Sequence, residues 1–291
     1  MTAASAKPAA AAEKSSPFAS LPSLKSVIAK YDLLPKKSLG QNFILDSLIL
    51  DDIVRAAGSV TIGTTIEVGP GPGGLTRAIL RAGASNVIVI EKDDRCILAL
   101  NEIKESLSAS DANITIINGD ALEIKTETLG TSPRRVIANL PYNISAILLM
   151  HWLRHITSFS SLTLMFQKEV ADRIVASPGI RAYGRLSVMT SAFADASIKM
   201  VLPPSVFTPA PKVTSALVHF TPKKEQPPVD FDTLETVAKV AFNQRRKMLR
   251  SSLKPLGDAL KICEAAGIAS DLRAENLPVE DFIKIALFLK G

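Results

Sequence analysis

Cysteine is scarce in this chain: Cys96 and Cys263 are the only two among 291 residues, far apart and outside any metal-ligand spacing. That supports neither a disulfide framework nor a zinc site, and it fits a reducing compartment. Long apolar runs are also missing. The best candidates, such as residues 87–90, are strand-sized, well short of the ~20 residues that span a bilayer. No membrane association is expected. The first 22 residues carry no arginine and no continuous apolar core, which makes them a poor transit peptide and no secretory signal. There is no internal repeat. Together these absences leave a cytoplasmic, globular protein, and its 47% hydrophobic content over this length suits one large domain plus a small one. The formal charge of +6 points toward a polyanionic partner.

The chain is organised around Ile66-Glu67-Val68-Gly69-Pro70-Gly71-Pro72-Gly73-Gly74-Leu75, where β-favouring residues run into four glycines within six positions. Glycine lets the backbone take positive φ and approach a ligand with no Cβ in the way. Gly69, Gly71 and Gly74 satisfy the dinucleotide pattern G-x-G-x-x-G, and Glu91 follows at about the ~20-residue spacing of a ribose-binding acid. Such a turn puts its ligand beyond the carboxyl end of a parallel strand, at the N-terminus of the next helix.

Composition sorts the rest of the chain. Residues 1–23, dominated by Ala, Ser, Lys and Pro, read as a disordered tail. The polar, basic segment 36–43 precedes a helix capped by Asp46 and stopped by Gly58, with Leu45, Leu48, Ile49, Ile53, Ala56 and Ala57 at helical spacing. Gln41 and Asn42, just ahead of that helix, are either plain loop residues or a lid over the cofactor. From Thr64 onward strands and helices alternate: strands over 65–68, 87–91, 114–117 and 135–139, and helices over 74–82, 93–107 and 145–155. This alternation predicts a doubly wound parallel sheet. Further strands are expected over 162–166, 196–202 and 213–220, the last two forming an antiparallel hairpin at the sheet edge. Residues 221–228, rich in Pro and Lys, read as a linker to a small helical domain. The resulting layout is an α/β, Rossmann-like catalytic domain over 24–222 and an all-α C-terminal domain over 223–291.

The first four strands end on Gly69, Glu91, Asp120 and Asn139, and parallel strands bring these ends to one rim. Glu91 is placed to accept ribose hydroxyls, and Asp120 to accept an adenine amino group. Asn139-Leu140-Pro141-Tyr142 has no use in hydride transfer, but it suits methyl transfer to an exocyclic amine, whose lone pair is delocalised into the ring. If the Asn139 amide oxygen and the carbonyl of Leu140 or Pro141 accept the amine hydrogens, the nitrogen is held near tetrahedral with its lone pair aimed at a sulfonium methyl. Tyr142 offers a stacking face.

At these residues the chain resembles the small-subunit ribosomal RNA adenine dimethyltransferases, from about Lys36 to the C-terminus. The specific motifs are Leu39-Gly40-Gln41-Asn42-Phe43, Glu67 to Gly71, Asn139 to Ser145, and Phe207-Thr208-Pro209-Ala210-Pro211-Lys212-Val213. The resemblance implies a class I methyltransferase that uses S-adenosylmethionine. It would place two methyl groups on N6 of adenosines, two of them adjacent, near the 3' end of small-subunit rRNA in a pre-ribosomal particle. It further implies that Asn42, Ile44, Gly69, Glu91, Asp120 and Asn139 contact the cofactor and that Tyr142 and Phe207 sandwich the target base. Ile44 stands where leucine is usual in that family, and the alanine-rich tail is an addition. A monomer with no metal is expected.

Two basic clusters are candidate phosphate contacts: Arg173, Arg181 and Arg185, and the run Arg245, Arg246, Lys247 and Arg250, where a helix would put Arg246 and Arg250 on one face and Arg245 and Leu249 on another. Two other functions fit parts of the pattern. A resistance-type large-subunit rRNA methylase shares the fold, but Leu140 and the proline-rich stretch 203–211 fit the small-subunit family better. A non-catalytic RNA-binding assembly factor would not need the intact tetrad 139–142.

Overall fold

The structure, a computed structural model, describes residues 21–34, 41–108 and 111–290. Most of the expected tail, and Leu39 and Gly40 of the first motif, lie outside the described residues. The first element among the described residues is α1 (Leu24–Lys30), capped by the Ser23 side chain, a helix not expected from the sequence. It continues through β1 (Phe43–Ile44) and α2 (Ser47–Ala57) into the alternating series β2 (Thr64–Val68), α3 (Gly74–Arg81), β3 (Asn86–Glu91), α4 (Asp94–Ser106), β4 (Asn113–Asn118), β5 (Arg134–Ala138) and α5 (Tyr142–Arg154). Then follow β6 (Ser161–Gln167), α6 (Lys168–Ile174), α7 (Arg185–Phe193), β7 (Ala194–Leu202), β8 (Phe207–Thr208) and β9 (Ser215–Pro222). The C-terminal part is helical: α8 (Phe231–Asn243), α9 (Leu249–Ser252), α10 (Ala259–Ala266) and α11 (Val279–Lys290).

Seven strands form one sheet in the order β4-β3-β2-β5-β6-β9-β7. The first five are parallel, and β9 runs antiparallel to both β6 and β7, so the edge pair is antiparallel as expected and places its later strand on the inside. The two-residue strands β1 and β8 pair separately, Ile44 opposite Phe207.

Because strand side chains alternate between faces, each strand feeds two apolar clusters. Ile66, Ile88, Ile90, Val136, Leu162 and Val218 point to one side, where α5, α7 and the C-terminal helices cover them. Val87, Val89, Ile137, Met165 and Leu217 point to the other, beneath α2, α3 and α4. On α2 the buried residues are Leu50, Ile53, Val54 and Ala57. Leu48, expected on that face, is instead 73% exposed. The i, i+3, i+4, i+7 stripe begins at Leu50 because Asp46 starts the helix by capping the Leu48 N–H, which turns Leu48 outward.

The C-terminal helices share the first cluster with the sheet. The Phe193 and Phe231 rings meet at a tilt with centroids 5.2 Å apart, Tyr183 and Phe242 meet edge-on at 5.8 Å, and the buried Tyr183 hydroxyl donates to the Leu277 carbonyl at 2.9 Å. With one apolar cluster crossing the 221–228 segment, both parts should unfold together. Phe282→Ala, at a fully buried position, should cost about 3–5 kcal/mol. Trp152, the single tryptophan, sits on the sheet side, so its fluorescence and the far-ultraviolet circular dichroism should lose stability at the same denaturant concentration. Two separated transitions would contradict this shared core.

Candidate active site

Parallel strands place Gly69, Glu91, Asp120 and Asn139 on one rim, and all four line a single crevice together with Gln41, Asn42, Ile44, Gly71, Leu140, Pro141 and Tyr142. The glycine turn shapes its floor. Gly69 and Gly71 both have positive φ, and a Cβ on Gly71 would come within 2.7 Å of the Phe43 ring. Gly74 serves packing instead: its missing Cβ lets Leu24 and Leu50 close on the start of α3.

Glu91 holds this turn against the next strand end. One carboxylate oxygen accepts the Gly71 N–H at 2.9 Å, and the other accepts the Lys92 and Asp93 N–H groups at 2.8 Å each. Burial pushes its pKa above the usual carboxylate range, against the downward pull of these three donors. Asp120, at the following strand end, accepts from Lys92 Nζ at 2.7 Å. This bond, helped by the Leu122 N–H, lowers its pKa.

A third carboxyl had been assigned no task from the sequence. Glu67 lies 1% exposed within β2, lines the crevice, and accepts from the Thr76 hydroxyl at 2.6 Å. Burial is the main reason its pKa stands at about 8 rather than 4.5; the Thr76 bond opposes the rise and the nearby Glu91 charge contributes to it. The signal was visible: an acid at an interior position of a strand that is otherwise β-favouring and apolar.

The segment before α2 closes the crevice from above. Asn139 Nδ2 donates to the Asn42 carbonyl at 2.9 Å, which fixes the amide so that its oxygen faces away from that bond. Gln41 Nε2 donates to Asp93 at 3.2 Å. Asp93 is also paired with Arg95 at 2.6 Å, chiefly by which its pKa drops to about 2, and Arg95 reaches the Asp32 carbonyl. Of the two carbonyls expected to receive a substrate amine, that of Pro141 is engaged by the N–H groups of Ile144 and Ser145 at 3.2 and 3.1 Å. Leu140 is therefore the better acceptor. Tyr142 is half-buried, its hydroxyl 2.6 Å from Ser215 Oγ. Phe207 is 3% exposed, packed with Ile44 and Leu50, and does not form part of the crevice wall.

Among the basic candidates, Arg173, Arg181, Arg185 and Arg245 meet along one open groove, which also carries Glu169, Asp172 and Glu235. Ala146, Ile147 and Met150 of α5 join that groove to the crevice, where Tyr142 begins the same helix. The run 244–250 is not the expected helix. α8 ends at Asn243, the Lys247 N–H turns back to the Gln244 carbonyl, and Leu249 bonds to Leu272. The chain has to bend here to carry Leu249, fully buried, into the core, so Arg246 and Arg250 share no helical face. Arg245 is paired with Glu275 at 2.9 Å, Arg185 lies 3.9 Å from Glu235, and Arg173 pairs with Glu169. Arg181, Arg246, Lys247 and Arg250 are exposed and make no ion pair with the described residues.

Comparison with known proteins gives a consistent result. A family profile described as "Ribosomal RNA adenine dimethylase" matches residues 33–290. The chain is 50% identical over 267 residues to "Ribosomal RNA small subunit methyltransferase A" of Rhodospirillum rubrum, covering 91% of this chain and 92% of that one. The same name belongs to a relative from Paramagnetospirillum magneticum, 50% identical over 270 residues and covering 92% of this chain and 95% of that one. Among solved structures, a dimethyladenosine transferase from Plasmodium falciparum superposes with a TM-score of 0.73 at 27% identity, covering 84% of this chain and 96% of that one. The 23S rRNA methyltransferase ErmE shares the fold at a TM-score of 0.65 and 22% identity, over 86% of this chain and all of that one.

The buried Glu67 leads to a stability prediction. Its folded pKa near 8 stands above the ordinary 4.5, so between these values the folded protein keeps a proton that the unfolded chain has lost, and stability falls as pH rises through that window. Glu67→Gln, which is neutral throughout and can still accept from Thr76, should lose little stability near pH ~5 and show a flatter decline toward pH ~9. Thermal melts across that range check it, and a decline as steep in the variant as in the parent would overturn it.

Proposed function

The chain belongs to the ribosomal RNA adenine dimethylases, and from that membership and the geometry of the crevice we propose that it transfers two methyl groups from S-adenosylmethionine to N6 of adenosines in small-subunit rRNA. The proposed substrate is a pre-ribosomal particle near the 3' end of that RNA, met by a monomeric protein in the cytoplasm. The crevice suits the donor: glycines leave the turn open, Ile90 and Ala121 offer apolar walls, and two carboxylates meet at adjacent strand ends. When bound, S-adenosylmethionine supplies an electrophilic sulfonium methyl.

The protein's own groups do the rest. A carboxylate has roughly four acceptor sites, and Glu91 uses three on backbone N–H groups. It therefore has about one left for a ribose hydroxyl, and it takes both hydroxyls only by sharing one of its present donors. Asp120, beside Lys92, would accept from the cofactor's amino group, and Gln41, Asn42 and Ile44 would cover it. The observation that carries the reading is the Asn139 amide, whose nitrogen is committed to Asn42 so that its oxygen is the side offered to a base amine. With the Leu140 carbonyl it holds the amine hydrogens and aims the nitrogen lone pair at the methyl. An amide does not change protonation, so it can serve the first transfer and again the second, and the proton leaves afterwards. Tyr142 stacks on the flipped base. Phe207 joins that clamp only if the Ile44–Phe207 pairing opens.

Asn139→Ala should fold and bind RNA yet lose turnover by about two orders of magnitude or more, the scale for removing one positioned hydrogen-bonding group at a reacting centre. Mass spectrometry of digested rRNA provides the measurement, and near-normal dimethyladenosine from this variant would defeat the mechanism.

RNA is gripped by the groove along α5 and by the exposed cations beyond it. Replacing Arg181, Arg246 and Lys247 by Ala should flatten the dependence of log affinity on log salt by about 0.7–0.9 per lost phosphate contact, with cofactor binding intact. An unchanged slope would show these residues to be solvated surface.

A further inference from the structure

The far end of α5 carries a second constellation. His151 and His155, one helical turn apart, present their Nε2 atoms 3.3 and 3.9 Å from the two carboxylate oxygens of Glu127. Their rings lie 5.3 Å apart, and one donor atom from each of the three residues falls within 4.8 Å of the others. We propose that Glu127, His151 and His155 bind a divalent transition-metal ion, of the zinc class, at the foot of α5.

The chemistry favours that class. Two imidazole nitrogens and one carboxylate oxygen suit zinc, cobalt, nickel or copper, whereas magnesium and calcium prefer oxygen alone. Bonds of about 2.0–2.2 Å in a tetrahedral site put ligand atoms about 3.4 Å apart, so the present separations need only a small inward turn of the histidine rings. The rings can move that far, because their side chains are 35% and 38% exposed while Glu127 is 11% exposed. Exposure also leaves the fourth position to water.

The scaffold holds the ligands in register. Glu127 sits on a short turn, Thr126–Thr128, whose Thr126 hydroxyl accepts from the indole of Trp152 at 2.7 Å. Thr126 and Trp152 are both fully buried, so this bond pins the turn to α5 between the two histidines. Arg154, the nearest cation on the helix, is turned away toward Asp232 and Glu235. Competing ligands are few. The third histidine, His219, is bonded to Thr163 inside the sheet, and both cysteines are buried. The thirteen residues of α5 put about 20 Å between Tyr142 and this end, which makes the site separate from the crevice and its ion a clamp on the fold.

Calorimetric titration of the chelator-stripped, full-length protein with zinc tests the proposal, with cobalt(II) absorption as a report on nitrogen ligation. One saturable ion per chain is expected, together with a rise in melting temperature. His151→Ala, His155→Ala and Glu127→Gln should each weaken zinc by at least about tenfold and lose the thermal gain, and excess magnesium should not compete. A folded His151→Ala/His155→Ala double variant that binds zinc with parental affinity would overturn the assignment. So would the lack of saturable binding in the parent, which would leave the cluster as an ion pair, and so would displacement of zinc by magnesium.

Discussion

The carboxylate of Glu91 is where the crevice is tied together. Three backbone N–H groups from two segments converge on it, Gly71 from the glycine turn and Lys92 and Asp93 from the end of β3. A turn with several positive-φ glycines has many conformations available when free, and the bond from Gly71 restricts it to one. Burying a charge is costly unless donors surround it, and the opposed influences on Glu91, burial upward and hydrogen bonds downward, express that balance. Its neighbour Glu67 has one hydroxyl donor and a more enclosed position, so the same balance leaves it protonated. Two carboxyls on adjacent parallel strands thus meet burial with different numbers of donors, three for Glu91 and one for Glu67.

Much of this was legible in the sequence. Strand alternation, the glycine turn and the polar strand ends rest on local chemistry and a period of two, and such features survive folding nearly unaltered. The features that were not legible depend on contacts between distant segments. Arg245 to Arg250 has a helix-compatible sequence, yet the bend between α8 and α9, where Met248 pairs with Arg273 and Leu249 bonds to Leu272, breaks it before Leu249. Phe207 carries a motif, but its burial follows from the pairing of β8 with β1. The short α6 and the hydroxyl-rich α7 give no clean apolar period, so neither stood out. Counting cysteines excluded a thiolate metal site, but it could not register a histidine pair completed by Glu127 from a turn upstream of β5.

α5 organises both ends of the molecule. Its first residue, Tyr142, stands at the crevice, its middle residues line the groove, and its C-terminal end carries His151 with His155 as the capping residue. A helix transmits displacement along its axis with little loss, because its hydrogen bonds run parallel to that axis. Trp152, fully buried and bonded to Thr126, therefore anchors the helix that carries Tyr142.

The bond from Asn139 to the Asn42 carbonyl sets a dependence between the covering segment and the reacting group. Rotating the amide by half a turn would bring two carbonyl oxygens together and leave the NH₂ facing the base amine, a donor against donors. The observed orientation of the amide therefore depends on the covering segment, held by the Gln41–Asp93 bond and by the pairing of Phe43 and Ile44 with β8. Without that segment's Asn42 carbonyl, the constraint on the Asn139 amide would be lost. Under the proposed function, a base meeting Asn139 without the Asn42 contact would face an unoriented amide, so aligning its amine would depend on that segment being in place.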